Sequence, residues 1–329
     1  MTDLPIGLLG LGAYLPQRVM TNDEWARYVD TTDEWITART GIKRRRVAAP
    51  EESTADLAVA AARSALEACS LGPGDVDEII VATDTPEMLV PDTAAFVQHR
   101  LGAREVPAYD LAGSGCAGFL LALDIARGRA LLRRARVLVV GVEVLTRWLT
   151  WKDRSTDVLF GDAAAATVVG AGDGAAEILA AVAGTDGSRS DILCMPVGGT
   201  REPLNAAAVA AGVEQHLVMN GREVFRDAVA RMTAAAREVL EVAGVSLAEV
   251  DVVVPHQANL RIVSAVAARL GLPLERFVIN LQDYGNTGSA SIPLALWEAQ
   301  RGGRIRPGQL VLCVSFGAGF HWGAVLIRF

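Results

Sequence analysis

Short apolar runs alternate along this chain with longer stretches in which apolar residues recur every three or four positions. The continuous runs, rich in valine, isoleucine and alanine, predict buried strands at residues 6–15, 76–81, 136–144, 163–170, 177–184 and 249–254. The periodic stretches predict helices at residues 32–41, 54–69, 91–102, 116–128 and 225–242. This alternation favours an α/β fold with a buried sheet, and it leaves residues 200–213 as a loop or a helix.

The second half of the chain repeats the pattern of the first. Four short patterns recur in the same order at nearly one offset, and they make Cys116 and Asn286 equivalent positions. We therefore divide the chain into an N-terminal half, residues 1–172, and a C-terminal half, residues 173–329. Two such halves facing each other would bring Cys116 and Asn286 side by side at a pseudo-twofold axis.

Cys116 stands at a position that suits a nucleophile. An apolar run ends at Asp110, small residues follow, and a helical pattern opens at the cysteine. Unpaired amides and the helix dipole favour negative charge at a helix N-terminus, so the pKa of the thiol can be lowered there. The alternative is that the cysteine simply packs in the core, as buried cysteines usually do.

Composition and charge narrow the class of protein. The 329 residues are 51% hydrophobic, which suffices for a large core, and the net charge of −7 makes nucleic acid an unexpected partner. We expect no membrane span and no signal peptide, because no apolar run is long enough. The four cysteines are scattered without metal-ligand spacing, which predicts no metal site and a cytoplasmic location.

Four further stretches carry candidate chemistry. His256 follows a strand, where open α/β sheets place ligand sites, although a lone histidine more often just packs in the core. Asn286 lies in a turn. Its side-chain amide could donate a hydrogen bond to an oxyanion, or the residue could merely cap a helix. The glycine-rich residues 315–320 are a hairpin turn that could expose an amide beside the thiol. The basic residues 43–46 are either a solvated loop or a site that binds phosphate groups or an acidic partner.

A cysteine, a histidine and an asparagine form a chemically coherent set. The thiolate would attack an acyl thioester and form an acyl-enzyme. His256 and Asn286 would then donate hydrogen bonds to the carbonyl of a second thioester as it becomes an enolate.

Together these stretches resemble the β-ketoacyl-acyl carrier protein synthase III family, the condensing enzymes that initiate type II fatty-acid synthesis. The resemblance runs from about Leu8 to Phe329 and rests on several motifs. They are Asp33-Glu-Trp-Ile, Arg39-Thr-Gly-Ile, Cys116-Ala-Gly-Phe, Phe160-Gly-Asp, Val254-Pro-His-Gln-Ala-Asn-Leu-Arg, Gly285-Asn-Thr and Phe316-Gly-Ala-Gly-Phe. The resemblance implies a thiolase-like five-layer α-β-α-β-α fold, usually as a homodimer.

The resemblance also implies residue roles. Cys116 is expected to be the acylated nucleophile, with His256 and Asn286 promoting malonyl decarboxylation. The amides of Cys116 and Ala318 are expected to form the oxyanion hole, and Phe316 to shield the decarboxylation site. Further expected contacts are with coenzyme A at Trp35, Arg39 and Arg154, and with the acidic acyl carrier protein at Arg226 and Arg261. The implied substrates are acyl-CoA and malonyl-acyl carrier protein, with no bound cofactor.

Some positions depart from the family pattern. The sequence before the cysteine is Gly113-Ser114-Gly115, where alanine-rich sequence is common, and Gly288 replaces a more usual serine. Val90 stands where a bulkier residue of the dimer partner often caps the acyl pocket in short-chain enzymes. We therefore expect the pocket to accept longer or branched acyl groups.

Three other functions share this scaffold. A specialised relative could start a polyketide or another secondary product, or transfer the acyl group without forming a carbon–carbon bond, and the catalytic motifs do not distinguish it. A degradative thiolase would need a second cysteine in the late glycine loop, and residues 316–320 contain none. A non-catalytic partner subunit would be expected to have lost the nucleophile or its pair, and all three residues are present.

Overall fold

The computed structural model describes residues 4–329 of the chain. Their strands are β1 Ile6–Tyr14, β2 Arg18–Thr21, β3 Arg44–Val47, β4 Glu78–Thr83, β5 Ala108–Ala112, β6 Val137–Val144, β7 Asp162–Ala171, β8 Ala176–Thr185, β9 Leu193–Cys194, β10 Val218–Met219, β11 Val252–Pro255, β12 Leu310–Gly317 and β13 His321–Arg328. Their helices are α1 Asn22–Trp25, α2 Asp33–Thr40, α3 Thr54–Ala68, α4 Thr93–Leu101, α5 Gly118–Arg133, α6 Ala206–Ala210, α7 Gly221–Ala243, α8 Leu260–Leu270, α9 Leu281–Tyr284 and α10 Ser291–Arg301.

The large sheet consists of two halves with the same topology. In the first half, β4 pairs in parallel with β5 and β6, and β7 pairs antiparallel with β6 and β1. In the second half, β11 pairs in parallel with β12, and β13 pairs antiparallel with β12 and β8. Backbone pairing between the two half-sheets occurs where Gly7 and Leu8 of β1 pair with residues 176–177 of β8. This matching topology is the structural counterpart of the sequence repeat.

Helices pack above, between and below these two half-sheets. Helices α3 and α4 cover the outer face of the first half-sheet, and α7 and α8 cover that of the second. Helices α5 and α10 lie between the halves and share a buried core with strands of both. The five-layer α-β-α-β-α arrangement is therefore present. The boundary at residue 172, in the turn between β7 and β8, stays a prediction.

Helix α3 illustrates how the sequence sets these layers. Ser53 and Asp56 form a reciprocal capping box, which satisfies two amides that the first turn would otherwise leave unpaired. Alanines fill most of the buried face of α3, so the helix axis approaches the sheet closely. A large side chain on this face would have to overpack the core, at a cost of about 1–3 kcal/mol.

The structure departs from the sequence predictions at two places of interest. Helix α5 begins at Gly118 after a single 3₁₀ turn, Gly115–Ala117, so Cys116 precedes the α-helix instead of opening it. The basic residues 43–46 are not a loop, because most of them form strand β3. Arg45 is fully buried and donates to the Asn22 side chain and to the Val158 carbonyl, which gives it a structural role.

Candidate active site

Cys116 lies at the bottom of a cavity of about 640 Å³, between the two half-sheets. Strand β5 delivers the chain to the 3₁₀ turn that holds the cysteine. On the opposite strand, β12, the buried hydroxyl of Ser315 donates a hydrogen bond of 2.7 Å to the Cys116 carbonyl. The nucleophile candidate is thus fixed from both halves of the fold.

Asn286 faces Cys116 across the pseudo-twofold axis. Its Oδ1 lies 4.0 Å from Cys116 Sγ and accepts a 2.9 Å hydrogen bond from the Gly288 amide. Backbone hydrogen bonds to Leu159 and Gly161 hold the asparagine in place. Because Oδ1 already has a donor, the side-chain NH₂ is the group left for a ligand. The expectation that the repeat places Cys116 and Asn286 side by side is confirmed.

Gly288 explains one departure from the family pattern. Its φ of +54° is left-handed, and a Cβ there would lie 2.6 Å from Glu143 Cγ. A serine at this position would therefore be strained and would collide with Glu143. In this chain the glycine makes room for a buried glutamate next to the site.

His256 completes the group from the end of β11. Its amide donates to the Val314 carbonyl at 2.8 Å, and its Nδ1 lies 2.6 Å from Ser291 Oγ at the start of α10. Burial lowers the pKa of His256 to about 3, so the imidazole is neutral at physiological pH. A Ser291 hydroxyl that donates to Nδ1 would leave the proton of the neutral imidazole on Nε2, where it can act as a donor.

The Cys116 thiol has a raised pKa in this state, and the expectation of a lowered value is wrong here. Burial is the main cause, and the nearby carboxyl groups of Asp84 and Glu143 add to it. These effects outweigh the favourable position ahead of α5. The direction of this shift favours the thiol of Cys116 over the thiolate in the free protein.

The backbone of Cys116 lies against the backbone of the late glycine turn. A Cβ added to Gly317 would lie 2.3 Å from the Cys116 nitrogen, and one added to Gly115 would lie 2.4 Å from the Ala318 nitrogen. Only glycines allow this approach. The nitrogens of Cys116 and Ala318 therefore each lie close to the other segment, and both residues line the cavity. Their expected role as an oxyanion hole stays a prediction.

Phe316 forms part of the cavity wall beside these amides. Its ring is buried and packs against Phe320 with the ring centroids 4.6 Å apart. Phe316 thus lines the cavity, and its expected role in shielding the decarboxylation site stays a prediction.

The mouth of the cavity is aromatic and positively charged. The indole of Trp35 is flanked by two guanidinium groups, with the Arg39 Cζ 4.4 Å and the Arg154 Cζ 5.2 Å from the ring centroid. All three residues line the cavity, and their expected contact with coenzyme A stays a prediction. Arg154 also donates to the Asp30 carbonyl, which orients it toward the mouth.

The two residues expected to contact the carrier protein differ in their surroundings. Arg261 lines the cavity, and within residues 4–329 it forms no ion pair. Arg226 lies outside the cavity lining and pairs with Glu223 and Asp227. Sequence reasoning missed Arg222, which lines the same mouth. Among the residues that the structure describes, Arg39, Arg222 and Arg261 thus line the cavity without an ion pair.

Val90 does not lie in the cavity of its own chain. It is 83% exposed and follows Met88 and Leu89, which are also exposed. The gating role expected for Val90 involves a second copy of the chain, so the role stays a prediction.

Sequence reasoning also missed several supporting residues. Ser291 and Ser315 hold His256 and Cys116, and Asp84 and Glu143 surround the thiol with carboxyl groups. Serine after a strand or at a helix start is common, so no sequence pattern distinguished these two. Asp84 follows a predicted strand as His256 does, and that position was the available signal.

Residues 4–329 contain neither an arranged metal-ligand cluster nor a helix suited to span a membrane. No group of three or more histidine, cysteine, aspartate or glutamate side chains is arranged to hold a metal ion. No helix in this part of the chain combines the length and the apolar character needed to cross a bilayer.

Comparison with known proteins gives the family. Residues 109–187 match the family described as 3-oxoacyl-[acyl-carrier-protein (ACP)] synthase III, and residues 240–329 match its C-terminal counterpart. The β-ketoacyl-[acyl-carrier-protein] synthase III of Symbiobacterium thermophilum is 47% identical over 325 residues, which cover 98% of each chain. The chain belongs to the β-ketoacyl-acyl carrier protein synthase III family. It is therefore an acyl-transferring condensing enzyme with a thiolase-like fold.

Solved structures agree with this assignment. The 3-oxoacyl-[acyl-carrier-protein] synthase III of Aquifex aeolicus superposes with a TM-score of 0.90 at 44% identity, covering 98% of this chain and 100% of that one. A priming β-ketosynthase from a polyketide biosynthetic pathway also superposes with a TM-score of 0.90, at 39% identity, covering 99% and 97% of the two chains. The scaffold of the synthase III family therefore serves both kinds of priming reaction.

Proposed function

We propose that this protein initiates fatty-acid biosynthesis by joining an acyl group from acyl-CoA to malonyl-acyl carrier protein. The products are 3-oxoacyl-acyl carrier protein, CO₂ and coenzyme A. The observation that carries the proposal is the meeting of Cys116, His256 and Asn286 at one apolar cavity with a positively charged mouth. Since all three groups are present and supported, a non-catalytic subunit is disfavoured.

In the first half-reaction, Cys116 Sγ attacks the thioester carbonyl of acyl-CoA. A carbon–sulfur bond forms to the enzyme, and the amides of Cys116 and Ala318 stabilise the oxyanion. The bond to coenzyme A then breaks. The thiol proton of Cys116 ends on the departing sulfur, so charge balances, and a nucleophile held as a thiol suits this exchange.

In the second half-reaction, malonyl-acyl carrier protein occupies the cavity. The proton on His256 Nε2 and the amide of Asn286 donate to its thioester carbonyl. The malonyl carboxylate leaves as CO₂, and its bonding electrons form an enolate that the two donors stabilise. The enolate carbon attacks the acyl-enzyme, and the Cys116 sulfur leaves and takes up a proton. A neutral histidine suits this role because its Nε2–H can donate a hydrogen bond without the imidazole being protonated to its cation.

The mouth of the cavity supports the substrate assignment. Trp35, Arg39 and Arg154 combine an aromatic face with two cations, which suits a nucleotide with phosphate groups. Arg261, and Arg226 less strongly because of its ion pairs, would meet an acidic carrier protein. Phe316 would keep water from the enolate, which would otherwise be protonated before it reacts.

We propose that the reaction uses no resident cofactor or metal, because the thiol and the hydrogen-bond donors account for every step. Undiminished turnover in excess chelator is the expected result.

All four cysteines are free, which is consistent with a reducing compartment such as the cytoplasm. The exposed apolar segment Met88–Val90 supports a homodimer. Light scattering should give twice the chain mass.

The alternative is a synthase that primes polyketide or other secondary metabolism. The likeness to the polyketide priming enzyme supports it. The preference for an acyl donor distinguishes the two functions. Val90 is expected to favour longer or branched donors over acetyl. A panel of acyl-CoAs from acetyl to decanoyl tests both. A flat loss of activity beyond propionyl would refute the expectation for Val90.

The test of the proposed function is product formation from acyl-CoA and malonyl-acyl carrier protein, followed by mass spectrometry. We expect 3-oxoacyl-carrier protein with the wild-type protein. An Asn286→Ala variant should still be acylated but should decarboxylate slowly, by a factor of about 10²–10³. Absence of product with every donor would contradict the proposal.

A further inference from the structure

The turn before the nucleophile has a backbone shape that binds anions. Gly113 and Gly115 have left-handed φ angles of +69° and +58°, and Ser114 between them has φ −81° and ψ 1°. Such alternation of left- and right-handed residues points successive amides into one concavity, which attracts a negative group. The glycines that depart from the family pattern are the residues that make this shape possible.

The anion at this concavity is the side chain of Asp84. The Gly115 amide donates to Asp84 Oδ1 at 3.1 Å, and the Gly113 amide contributes a weaker interaction with the same carboxyl group. Asp84 follows directly on β4, so it reaches the turn from the neighbouring parallel strand. It also lines the cavity together with Cys116.

A second carboxyl group, that of Glu143, holds the turn that contains Asp84. Glu143 on β6 accepts hydrogen bonds from the amides of Asp84 and Thr85 and from the Thr85 and Ser289 hydroxyls. Each contact fixes the next: Glu143 holds the 84–85 turn, and Asp84 holds the turn of the nucleophile. The described contacts therefore form a continuous path from β6 to Cys116.

We propose that Asp84 is a positioning residue for the nucleophile, whose carboxylate occupies the anion-binding turn Gly113–Gly115 and fixes the 3₁₀ turn that holds Cys116. The inference deepens the proposed function and rests on it for the acylation step. Asp84 acts through Cys116 and is not itself assigned a proton transfer.

The position of Asp84 has an electrostatic consequence that a purely structural carboxylate would not have. Its charge raises the pKa of Cys116, in the same direction as burial and Glu143. The other titratable or charged groups that line the cavity are His256, which is neutral, and four arginines, Arg39, Arg154, Arg222 and Arg261. Removing the charge of Asp84 should therefore lower the pKa of the thiol, although Glu143 would ionise more readily and offset part of the change.

Two readouts separate positioning from stability alone. The first is the rate of acyl-enzyme formation, and the second is the rate of iodoacetamide alkylation of Cys116 across pH, followed by peptide mass. For Asp84→Asn we expect acylation at least about tenfold slower, because a misplaced nucleophile loses rate steeply. We expect alkylation at pH 8 about threefold faster, which corresponds to half a pKa unit.

Asp110→Asn is the matched control. Asp110 also accepts from two backbone amides, those of Thr93 and Ala94, but it lies outside the cavity lining. Its loss should lower the melting temperature and leave acylation and the alkylation profile of Cys116 within twofold of wild type.

The proposal is overturned if Asp84→Asn acylates within twofold of wild type, or if its alkylation profile does not move. If that variant does not fold, Asp84→Glu decides, since it keeps the charge in a displaced position. For Asp84→Glu, slow acylation together with an alkylation profile that matches the wild type supports the proposal. Acylation of this variant at the wild-type rate refutes it. Wild-type protein that no donor acylates would refute the proposed function instead, while the alkylation readout would still test Asp84.

Discussion

A methyl group added at Gly317 tests whether the backbone amides of Cys116 and Ala318 stabilise the oxyanion of the reaction. Gly317 has an extended backbone with φ −155° and ψ −171°, so alanine is not strained there by its own conformation. The whole effect comes from the neighbour, since the new Cβ would lie 2.3 Å from the Cys116 nitrogen. The two chain segments must separate.

The size of the effect follows from this distance. Contact distances for real Cβ atoms begin near 3.0 Å, so the segments must move apart by roughly 0.7 Å, and such overpacking costs about 1–3 kcal/mol of stability. The same movement separates the amides of Cys116 and Ala318. Loss of one oxyanion donor lowers kcat by about 10²–10³, and we expect Gly317→Ala to fall in this range.

The assay is steady-state condensation together with thermal unfolding. The control is Gly323→Ala on the paired strand β13, where an added Cβ would meet Val182 O at 3.3 Å and Leu120 Cβ at 3.5 Å. Since those neighbours need to give only slightly, kcat should stay within about threefold of wild type. A Gly317→Ala protein with a kcat as high as the control would refute the assignment of the oxyanion hole.

Three other changes test separate parts of the account. Trp35→Ala should raise the KM for acyl-CoA about tenfold at nearly constant kcat, measured by steady-state kinetics, because it removes uniform binding. Arg261→Glu should raise the KM for malonyl-acyl carrier protein, and the effect should fade at high salt, while acylation by acyl-CoA stays unchanged. His256 has a folded-state pKa of about 3, below its unfolded value of 6.5. Its contribution to stability is therefore complete above pH 6.5 and is lost as pH falls toward 3. His256→Asn should reduce the slope of unfolding free energy against pH in that window, by up to about 1.4 kcal/mol per pH unit in denaturant titrations.

Periodicity predicted an α/β fold with a buried sheet, and the repeat predicted two matching halves, whereas the five-layer arrangement was implied only by the family resemblance. Buried strands such as β6 have apolar residues on both faces, and that pattern survives in the sequence because both faces pack against helices. The repeat then predicted that Cys116 and Asn286 meet. Helix ends were less well predicted, because the 3₁₀ turn at Cys116 depends on contacts with β12 from the other half of the chain.

The electrostatics of the site could not be predicted from local sequence. A helix start favours a thiolate, but burial and two carboxyl groups from β4 and β6 reverse the direction for Cys116. Arg45 shows the same limitation. Within a run of basic residues it looks solvated, yet the structure buries it against Asn22 and the Val158 carbonyl. Both outcomes depend on residues distant in sequence.

The central claim is that Cys116 carries the acyl group, and intact protein mass tests it most directly. Protein incubated with acyl-CoAs from acetyl to decanoyl should gain one acyl mass, and Cys116→Ser should gain none. Malonyl-acyl carrier protein should then discharge the adduct. An adduct that persists in Cys116→Ser, or a wild-type protein that no acyl-CoA and no acyl-carrier protein labels, would contradict the account.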